Sequence, residues 1–300
     1  MSPTDRRSTL LSLLGFAILV ASTSAILVRL SEAPVVVKVL YRLLFTSAFL
    51  VAAAVVRYRD DFDRLSRRDF GTAVATGVVL SVHYLAWFES LEWTTVAASV
   101  TLGQTQVIFV AIGAALLLGE RVTPGAAVGM LVGLSGAAIV TTGGLVTTDL
   151  LQGTDPVLGN GLALVAGALF GMYLLAGRSL RQRVATVPYL TLVYGVAAVV
   201  TTVFAIGSGA AIAPTAYPLR EHLIFLGLAL GPGLVAQGLV NWLLAYLRSA
   251  VVSVSFLGVP IASTILAALV LAETPGLLTA GGGALVLVGI YATVRARPAS

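Results

Sequence analysis

Charged side chains are scarce in this sequence, which has 18 basic and 13 acidic residues among 300, or 10% in all. A soluble protein usually has about 25% charged residues, because polar groups must cover much of its surface. Here 58% of the residues are hydrophobic, and the mean hydropathy is +1.00. The composition argues against a soluble enzyme, a disordered tail or a fibrous protein. It predicts a membrane protein built almost wholly of spanning segments.

Cysteine is absent, and the only histidines are His83 and His222. Disulfides, thiolate metal sites and cysteine nucleophiles are therefore excluded, and little remains for a histidine metal site. No GxxxxGK[ST] or HExxH pattern occurs. Ser81 and His83 are two residues apart and would point to different faces of a helix, so they cannot form a catalytic pair there. We predict no cofactor, no metal and no enzymatic activity.

What is abundant is apolar sequence in runs long enough to cross a bilayer, which takes about 20 residues of helix. Ten such runs predict an all-α membrane protein with short connections. They lie near 9–28, 34–56, 70–91, 95–119, 124–146, 157–177, 187–207, 222–245, 249–272 and 276–294.

Basic residues in the short loops fall almost entirely on one side of these predicted spans. With the N-terminus in the cytoplasm, the outer loops contain only Arg29 and Arg220, and Lys38 and Arg42 lie within span 2. The other fourteen basic residues are on the inner side. Because cytoplasmic loops are enriched in Lys and Arg, the bias predicts a multi-pass protein of the cytoplasmic membrane with both termini inside. Because this bias explains the excess of basic residues, the net charge of +5 does not predict a nucleic-acid partner.

The two halves of the chain resemble each other at a shift of 153 residues. AALLLGE at 114–120 falls on AALVLAE at 267–273. The same shift pairs Glu120 with Glu273, Gly129 with Gly282, and Gly136 with Gly289. Five spans are an odd number, so the second half enters the membrane from the opposite side. This predicts two inverted five-helix repeats, 1–148 and 149–300, around a central cavity at mid-membrane depth.

The order of these segments resembles a known family. An arginine in VLYRLLF is followed by the aromatic run YLAWFESLEW, a small-residue run, the apolar VIFVAIGAALLLGE and a glycine-rich span. The second half repeats the order from the counterpart of the aromatic run onward. The chain thus looks like two tandem units of the EamA family of the drug/metabolite transporter superfamily. It departs from the family where Val107 replaces a frequent mid-span proline, which the second half keeps as Pro260, and where Ala272 replaces the glycine before Glu273.

The resemblance implies a secondary transporter that exports small organic metabolites, such as amino acids or related compounds, by alternating access. Its partners would be a small-molecule substrate and the lipid bilayer, and pairing of two copies stays open. A channel-like or non-transporting membrane protein is the alternative. No acidic residue lies near the centre of a span, so we expect uncoupled transport or exchange. Proton antiport, for which only His83 or Glu89 could serve, is the alternative.

Polar groups inside the predicted spans are the first candidates for a substrate site, because an ionisable group in the bilayer is costly. Arg42, His83 and Gln104 lie at similar depth in neighbouring spans, roughly 12 Å from the outer surface at helical rise. They could line one pocket in the outer half of the membrane, where Arg42 would contact a polar or anionic part of the substrate. Alternatively, Arg42 is structural, His83 is an interior hydrogen-bonded histidine, and Gln104 bridges helices. Lys38 is a further candidate, unless it snorkels to the interface.

Aromatic and amide side chains form a second group of candidates. Tyr84 and Trp87 accompany His83 on span 3, and Trp87 would pack against an organic substrate or belong to the interfacial belt. The second half contributes Tyr173, Tyr194, Gln237 and Asn241, which would line the inner half of the route or bond helices together. Glu120 and Glu273 are predicted to be structural caps near the interface. Gly231-Pro232-Gly233 predicts an interruption of the helix in span 8.

Overall fold

The computed structural model describes residues 3–62, 66–119, 122–146, 154–180, 185–243 and 255–296, together with Tyr246 and Val252. Every regular element in these ranges is helical. In chain order the helices are α1 Pro3–Leu30, α2 Val35–Arg57, α3 Arg59–Phe62, α4 Arg67–Trp93, α5 Val96–Gly103, α6 Gln106–Leu118, α7 Pro124–Val146, α8 Pro156–Leu180, α9 Thr186–Gly207, α10 Leu219–Leu228, α11 Gln237–Leu243, α12 Gly258–Leu271 and α13 Leu277–Arg295.

The predicted all-α membrane architecture is confirmed. Within the described ranges, nine helical segments are long and apolar enough to cross a membrane, and the shorter apolar helix α12 accounts for the tenth span. The fifth span was predicted at 124–146 and is found as Pro124–Val146. α4 begins earlier than predicted because Ser66 caps it, accepting a hydrogen bond from the Asp69 N–H while the Asp69 carboxylate accepts one from the Ser66 N–H. Glu120 lies outside the described residues.

The fourth span is interrupted, although the sequence predicts one continuous helix over 95–119. α5 ends at Gly103, and α6 begins at Gln106. Gly103 favours helix poorly, and the Thr105 side chain donates to the Leu102 carbonyl at 2.5 Å, where it competes with the helical backbone bond. The shift of 153 residues maps this break onto a turn at Phe256–Leu257, just before α12. A turn therefore precedes α6 and α12 at the same place in the two halves.

The eighth span also departs from a regular helix, as the Gly-Pro-Gly sequence predicts. Ala229–Ala236 is a π-helical segment between α10 and α11, and Pro232 lies inside it. Proline cannot donate the backbone hydrogen bond of a regular turn, so the wider turn accommodates it.

Equivalent helices of the two halves pack against each other in opposite directions. Gly129 of α7 lies against Gly289 of α13, whereas Gly136 lies against Gly282. Because Gly282 and Gly289 are the counterparts of Gly129 and Gly136, each contact is the two-fold image of the other. The order of contacts makes α7 and α13 antiparallel. This is the geometry of an inverted repeat, and we call the contact between these four glycines the glycine seam.

The remaining packing follows the same two-fold relation. α4 packs on α8, and the counterpart of α4 in the second half, built from α10, the π-helical segment and α11, packs on α1. Likewise α12 packs on α1, and its counterpart α6 packs on α8. α2 packs on its own counterpart α9. The two halves thus pack against each other in the interior of the bundle, and the largest apolar cluster contains residues of both halves.

α6 and α12 both end at a residue in the left-handed conformation, but only α6 has glycine there. Gly119 has φ +67° and donates its N–H to the Ala114 carbonyl, while Ala272 has φ +54° and donates to the Ala267 carbonyl. Glycine adopts this left-handed conformation without steric cost, and alanine does not.

We therefore expect Ala272→Gly to raise the free energy of unfolding by about 1 kcal/mol, and Gly119→Ala to lower it by a similar amount. Thermal unfolding of the purified protein measures both changes. Gly195→Ala is the control, since nothing lies within 4 Å of a Cβ there and its φ is not positive. A lower unfolding midpoint for Ala272→Gly would contradict the prediction.

Candidate functional site

A cavity of about 210 Å³ lies between the two halves, near the middle of the spanning helices. The turns before α6 and α12 and the π-helical segment border it, through residues such as Gly103, Phe256 and Pro232. Eight of the ten side chains that the sequence identified as candidates line it: Arg42, His83, Tyr84, Trp87, Gln104, Tyr173, Tyr194 and Gln237.

Arg42 is the only charged residue among the described residues that line this cavity, and its side chain is almost fully buried, with 5% of the residue exposed. One Nη donates to Ser24 Oγ at 2.9 Å, and the other donates to the Tyr84 hydroxyl at 3.3 Å. The guanidinium lies over the Tyr84 ring, 4.4 Å from its centroid. Nε has no hydrogen-bond partner. Arg42 is held in place, yet its charge is not neutralised by any carboxylate of the described chain.

The two halves meet through tyrosine hydroxyls beside Arg42. The Tyr84 and Tyr194 hydroxyl oxygens are 3.4 Å apart. Tyr194 is the counterpart of Tyr41 in the repeat, but the Tyr41 hydroxyl donates to the Ile212 carbonyl outside the cavity. The counterpart of Arg42 is Gly195. The cavity is therefore asymmetric although the bundle around it is nearly two-fold.

Aromatic rings form a continuous wall around the cavity. His83 lies parallel to Trp87, with ring centroids 6.4 Å apart, and 4.8 Å from Phe170 of α8. Phe170 in turn stacks on Tyr173 at 5.2 Å. His83 Nδ1 is 2.9 Å from the Ala166 carbonyl oxygen, so α8 fixes the orientation of the imidazole. The structure thus places His83 both in a hydrogen bond and on the cavity surface.

Amide side chains complete the polar lining. Gln104 and Gln106 flank the break between α5 and α6, and their side chains are 3.4 Å apart. Gln237, the counterpart of Tyr84, lines the cavity from the second half. These amides can donate or accept hydrogen bonds, so they can orient a polar ligand without adding charge.

The chain matches the family model for the EamA-like transporter family twice, over residues 7–142 and 157–295. The chain belongs to the EamA-like transporter family. This confirms the resemblance seen in the sequence, including the two tandem units and the drug/metabolite transporter superfamily. A solved crystal structure is 20% identical to the chain, with a TM-score of 0.62. The match covers 95% of this chain and 96% of the chain in that structure. That likeness concerns the fold alone. Among curated proteins, none matches the chain.

The EamA-like transporter is a multi-pass membrane protein and not an enzyme, in agreement with the sequence. Two of its ten candidate side chains are not placed at the cavity. Asn241 belongs to α11, but its side chain lies outside the described part of the structure. Lys38 is 2% exposed and lies away from the cavity.

Lys38 does not line the cavity, because an ion pair with Glu92, whose side chain is 40% exposed, holds its ammonium group. Its Nζ donates to Glu92 Oε1 at 2.8 Å and to the Val28 carbonyl at 3.1 Å. Glu92 is 54 residues away and belongs to a different helix, so local sequence does not reveal the partner.

The sequence missed several residues that line the cavity, among them Ser24, Gln106 and Phe170. Ser24 belongs to the polar run Ser22-Thr23-Ser24 within an apolar span, which is a usable signal for an interior face. Phe170 precedes Tyr173 by three residues, so the two rings share a face of α8. No comparable signal distinguishes Gln106 from Gln104.

Ion pairs join the helix ends at one face of the bundle, which we call the outer face because the charge bias predicts it to be outside. Glu273 accepts the Val96 N–H at 2.6 Å and pairs with Arg29 at 3.4 Å. Arg29 also donates to the Leu91 carbonyl at 2.6 Å. Burial raises the pKa of Glu273, against the opposing effects of the Val96 N–H and Arg29. Glu273 therefore connects α12 of the second half to α1 and α5 of the first, and we call this cluster the outer lock.

A second group of polar contacts lies at the same face. Glu221, at the start of α10, accepts hydrogen bonds from the Ser31 hydroxyl and the Glu32 N–H and pairs with Arg220. These contacts again join the second half to the end of α1.

A smaller cavity of about 70 Å³ adjoins the main cavity on the side away from the outer lock. It shares Tyr173, Tyr194, Gly233 and Gln237 with the main cavity. Its other lining residues include Thr186, which begins α9 at the face opposite the outer lock. The described polar contacts thus join the two halves at the outer face, while internal space continues from the main cavity toward the other face.

Proposed function

We propose that this EamA-like transporter carries a small organic metabolite across the cytoplasmic membrane by alternating access, in the outward direction. The observation that supports this function is the mid-membrane cavity, which takes polar and aromatic side chains from both inverted halves. Such a position suits alternating access, because rocking one repeat against the other exposes the same cavity to either side in turn.

The contacts between the halves are of the kind that such a motion breaks and remakes. The outer lock joins α12 to the first half with one ion pair and one charge-assisted backbone bond. The smaller cavity lies on the far side of Tyr194. We interpret this conformation as closed to the outside, with the N- and C-termini in the cytoplasm as the charge bias predicts.

Energy coupling through a membrane carboxylate has no support in the described part of the cavity, whose lining contains no Asp or Glu. Our proposal is therefore facilitated transport or exchange. An imposed pH gradient is expected to drive no more accumulation in proteoliposomes than in protein-free liposomes, and additional accumulation that follows the gradient would contradict this part of the proposal.

Counterflow tests the function. Proteoliposomes will be loaded with unlabelled members of a panel containing benzoate, benzamide, benzylamine, phenylalanine and a nucleoside, and then diluted into the same labelled compound. We expect transient accumulation of at least one compound. Gln104→Trp, which fills the cavity, should reduce it to the level of protein-free liposomes. The matched control is Leu116→Trp, because Leu116 lies on the same span and is 79% exposed to the surroundings.

Two results would contradict the proposal. One is the failure of every compound to show counterflow although the protein is folded. The other is non-saturable conductance in planar bilayers, which indicates a channel.

A further inference from the structure

We infer that the cavity recognises monoanionic organic acids with a single aromatic ring, with the acid group on Arg42 and the ring against the aromatic wall. The inference rests on the proposed transport function for how such an acid crosses the membrane, but not for how it binds. Charge, helix orientation, cavity size and the lack of an acidic partner each support it.

Arg42 provides the anion-binding group. A guanidinium has five N–H donors, and Arg42 uses only two of them, one in a bond of 3.3 Å. Nε, which no solvent reaches, has no partner. A buried charge without a counter-ion is costly. The rings of Tyr84 and Phe88, 4.4 and 5.6 Å from the guanidinium carbon, offset part of that cost but do not neutralise the charge. A carboxylate would neutralise it and accept hydrogen bonds from the Nη–H groups that Ser24 and Tyr84 do not occupy.

The N-terminal ends of α6 and α12 favour the same sign of ligand charge. α6 and α12 both begin beside the cavity, where Gln106 and Val259 line it. The N-terminus of a helix carries a partial positive charge, and discontinuous transporter helices direct such ends at anionic groups. The opposing carbonyl end of α5 is directed elsewhere: a Cβ on Gly167 of α8 would lie 3.1 Å from the Gly103 carbonyl oxygen.

The size and walls of the cavity limit the rest of the ligand. An apolar cavity of about 150 Å³ holds one benzene molecule, so about 210 Å³ suits one ring together with its acid group. His83, Trp87 and Phe170 provide aromatic faces, and the Tyr194 hydroxyl and the amides can bond polar substituents. A fused polycyclic or peptide ligand would exceed this space.

An amino acid is less well matched than a simple acid. Its ammonium group needs an acceptor of negative charge, and the described lining of the cavity contains no Asp or Glu. Arg42 would also repel it. The cavity should therefore prefer an aromatic monocarboxylate to the corresponding zwitterion, and should reject the corresponding amine.

Titration calorimetry on the full-length protein in nanodiscs tests the inference with phenylacetate, phenylacetamide, phenethylamine and phenylalanine as probes. We expect phenylacetate to bind about 10- to 100-fold more tightly than phenylacetamide and phenethylamine, which is the effect of a charge-assisted hydrogen bond. It should also bind more tightly than phenylalanine, whose ammonium group has no acidic partner among the described lining residues. In Arg42→Gln, phenylacetate and phenylacetamide should bind within about twofold of each other. The folding of Arg42→Gln is checked by its unfolding midpoint, and Arg42→Lys should keep part of the preference because it keeps the charge.

Arg59→Gln is the matched control, because Arg59 is an exposed arginine of α3, and it should leave the preference unchanged. Tighter or equal binding of phenylacetamide, phenethylamine or phenylalanine by the natural protein would overturn the inference, as would failure of all four probes to bind. A preference that survives in Arg42→Gln would also overturn it. Counterflow of a neutral or cationic compound without anion binding leaves the proposed function standing, whereas anion binding without counterflow contradicts only that function.

Discussion

Gly289→Val is expected to abolish the folded state. A Cβ at this position would lie 2.2 Å from the Gly133 backbone nitrogen and 2.6 Å from the Gly129 carbonyl oxygen. Backbone atoms cannot move aside as a flexible side chain can, so α7 and α13 must separate along the glycine seam. Overpacking costs about 1–3 kcal/mol when neighbours can adjust. We expect more than about 3 kcal/mol here, because close contact of small residues is what holds membrane helices together.

The measurement is the yield and elution profile of the purified variant, followed by its unfolding midpoint. Gly281→Val is the matched control, since Gly281 lies on the same helix with nothing within 4 Å of its added Cβ. That substitution should change the free energy of unfolding by no more than about 0.5 kcal/mol. If both variants behave alike, the seam does not carry the helix contact that we assign to it.

Glu273→Ala should open the outer face. It removes the acceptor of the Val96 N–H and the partner of Arg29 in one step. Loss of a hydrogen bond to a charged group costs about 1.5–3 kcal/mol, and that cost falls only on the conformation in which the lock is closed. The population should therefore shift toward the outward-open form by about tenfold or more.

The absence of native cysteine allows a clean measurement of this shift. A single cysteine introduced as Gln104→Cys reports on the main cavity, and its reaction with a membrane-impermeant thiol reagent on intact cells gives the outward accessibility. We expect labelling about tenfold faster when Glu273→Ala is added. Thr215→Ala is the control, because Thr215 is an exposed residue before α10 at the same face and takes no part in these ion pairs. An unchanged rate, or an equal increase in the control, would be evidence against the outer lock.

Much of this fold could be predicted because membrane helices and repeats leave strong signals in sequence. The apolar run ending at Val146 begins at Pro124, where turn residues fix its start. The shift of 153 residues predicts which glycines correspond, and the structure shows that Gly129 and Gly282 belong to one seam. The same shift relates the turns at Gly119 and Ala272.

The rest depended on contacts that have no local signature. The break at Gln104 is hidden in an apolar run, because one glycine and a threonine hydroxyl decide it against a strong hydrophobic pattern. The depth of Lys38 along its helix matches that of a binding residue, and only the distant Glu92 turns it into a structural ion pair. The sequence indicates Arg42 as a candidate because a charge in a span is rare. It does not indicate the neighbouring Ser24, because serine is common in membrane helices.

If the halves reorient as proposed, Arg42, which is the one cation among the described residues of the cavity lining, makes the empty transporter responsive to the membrane potential. Moving one elementary charge through the whole field is worth about 2.3 kcal/mol per 100 mV, and Arg42 traverses part of that field if the halves reorient. With a monoanion bound, the cavity is neutral, and reorientation moves almost no net charge. Voltage would then act on the return of the empty carrier, so that net efflux depends on potential while one-for-one exchange does not.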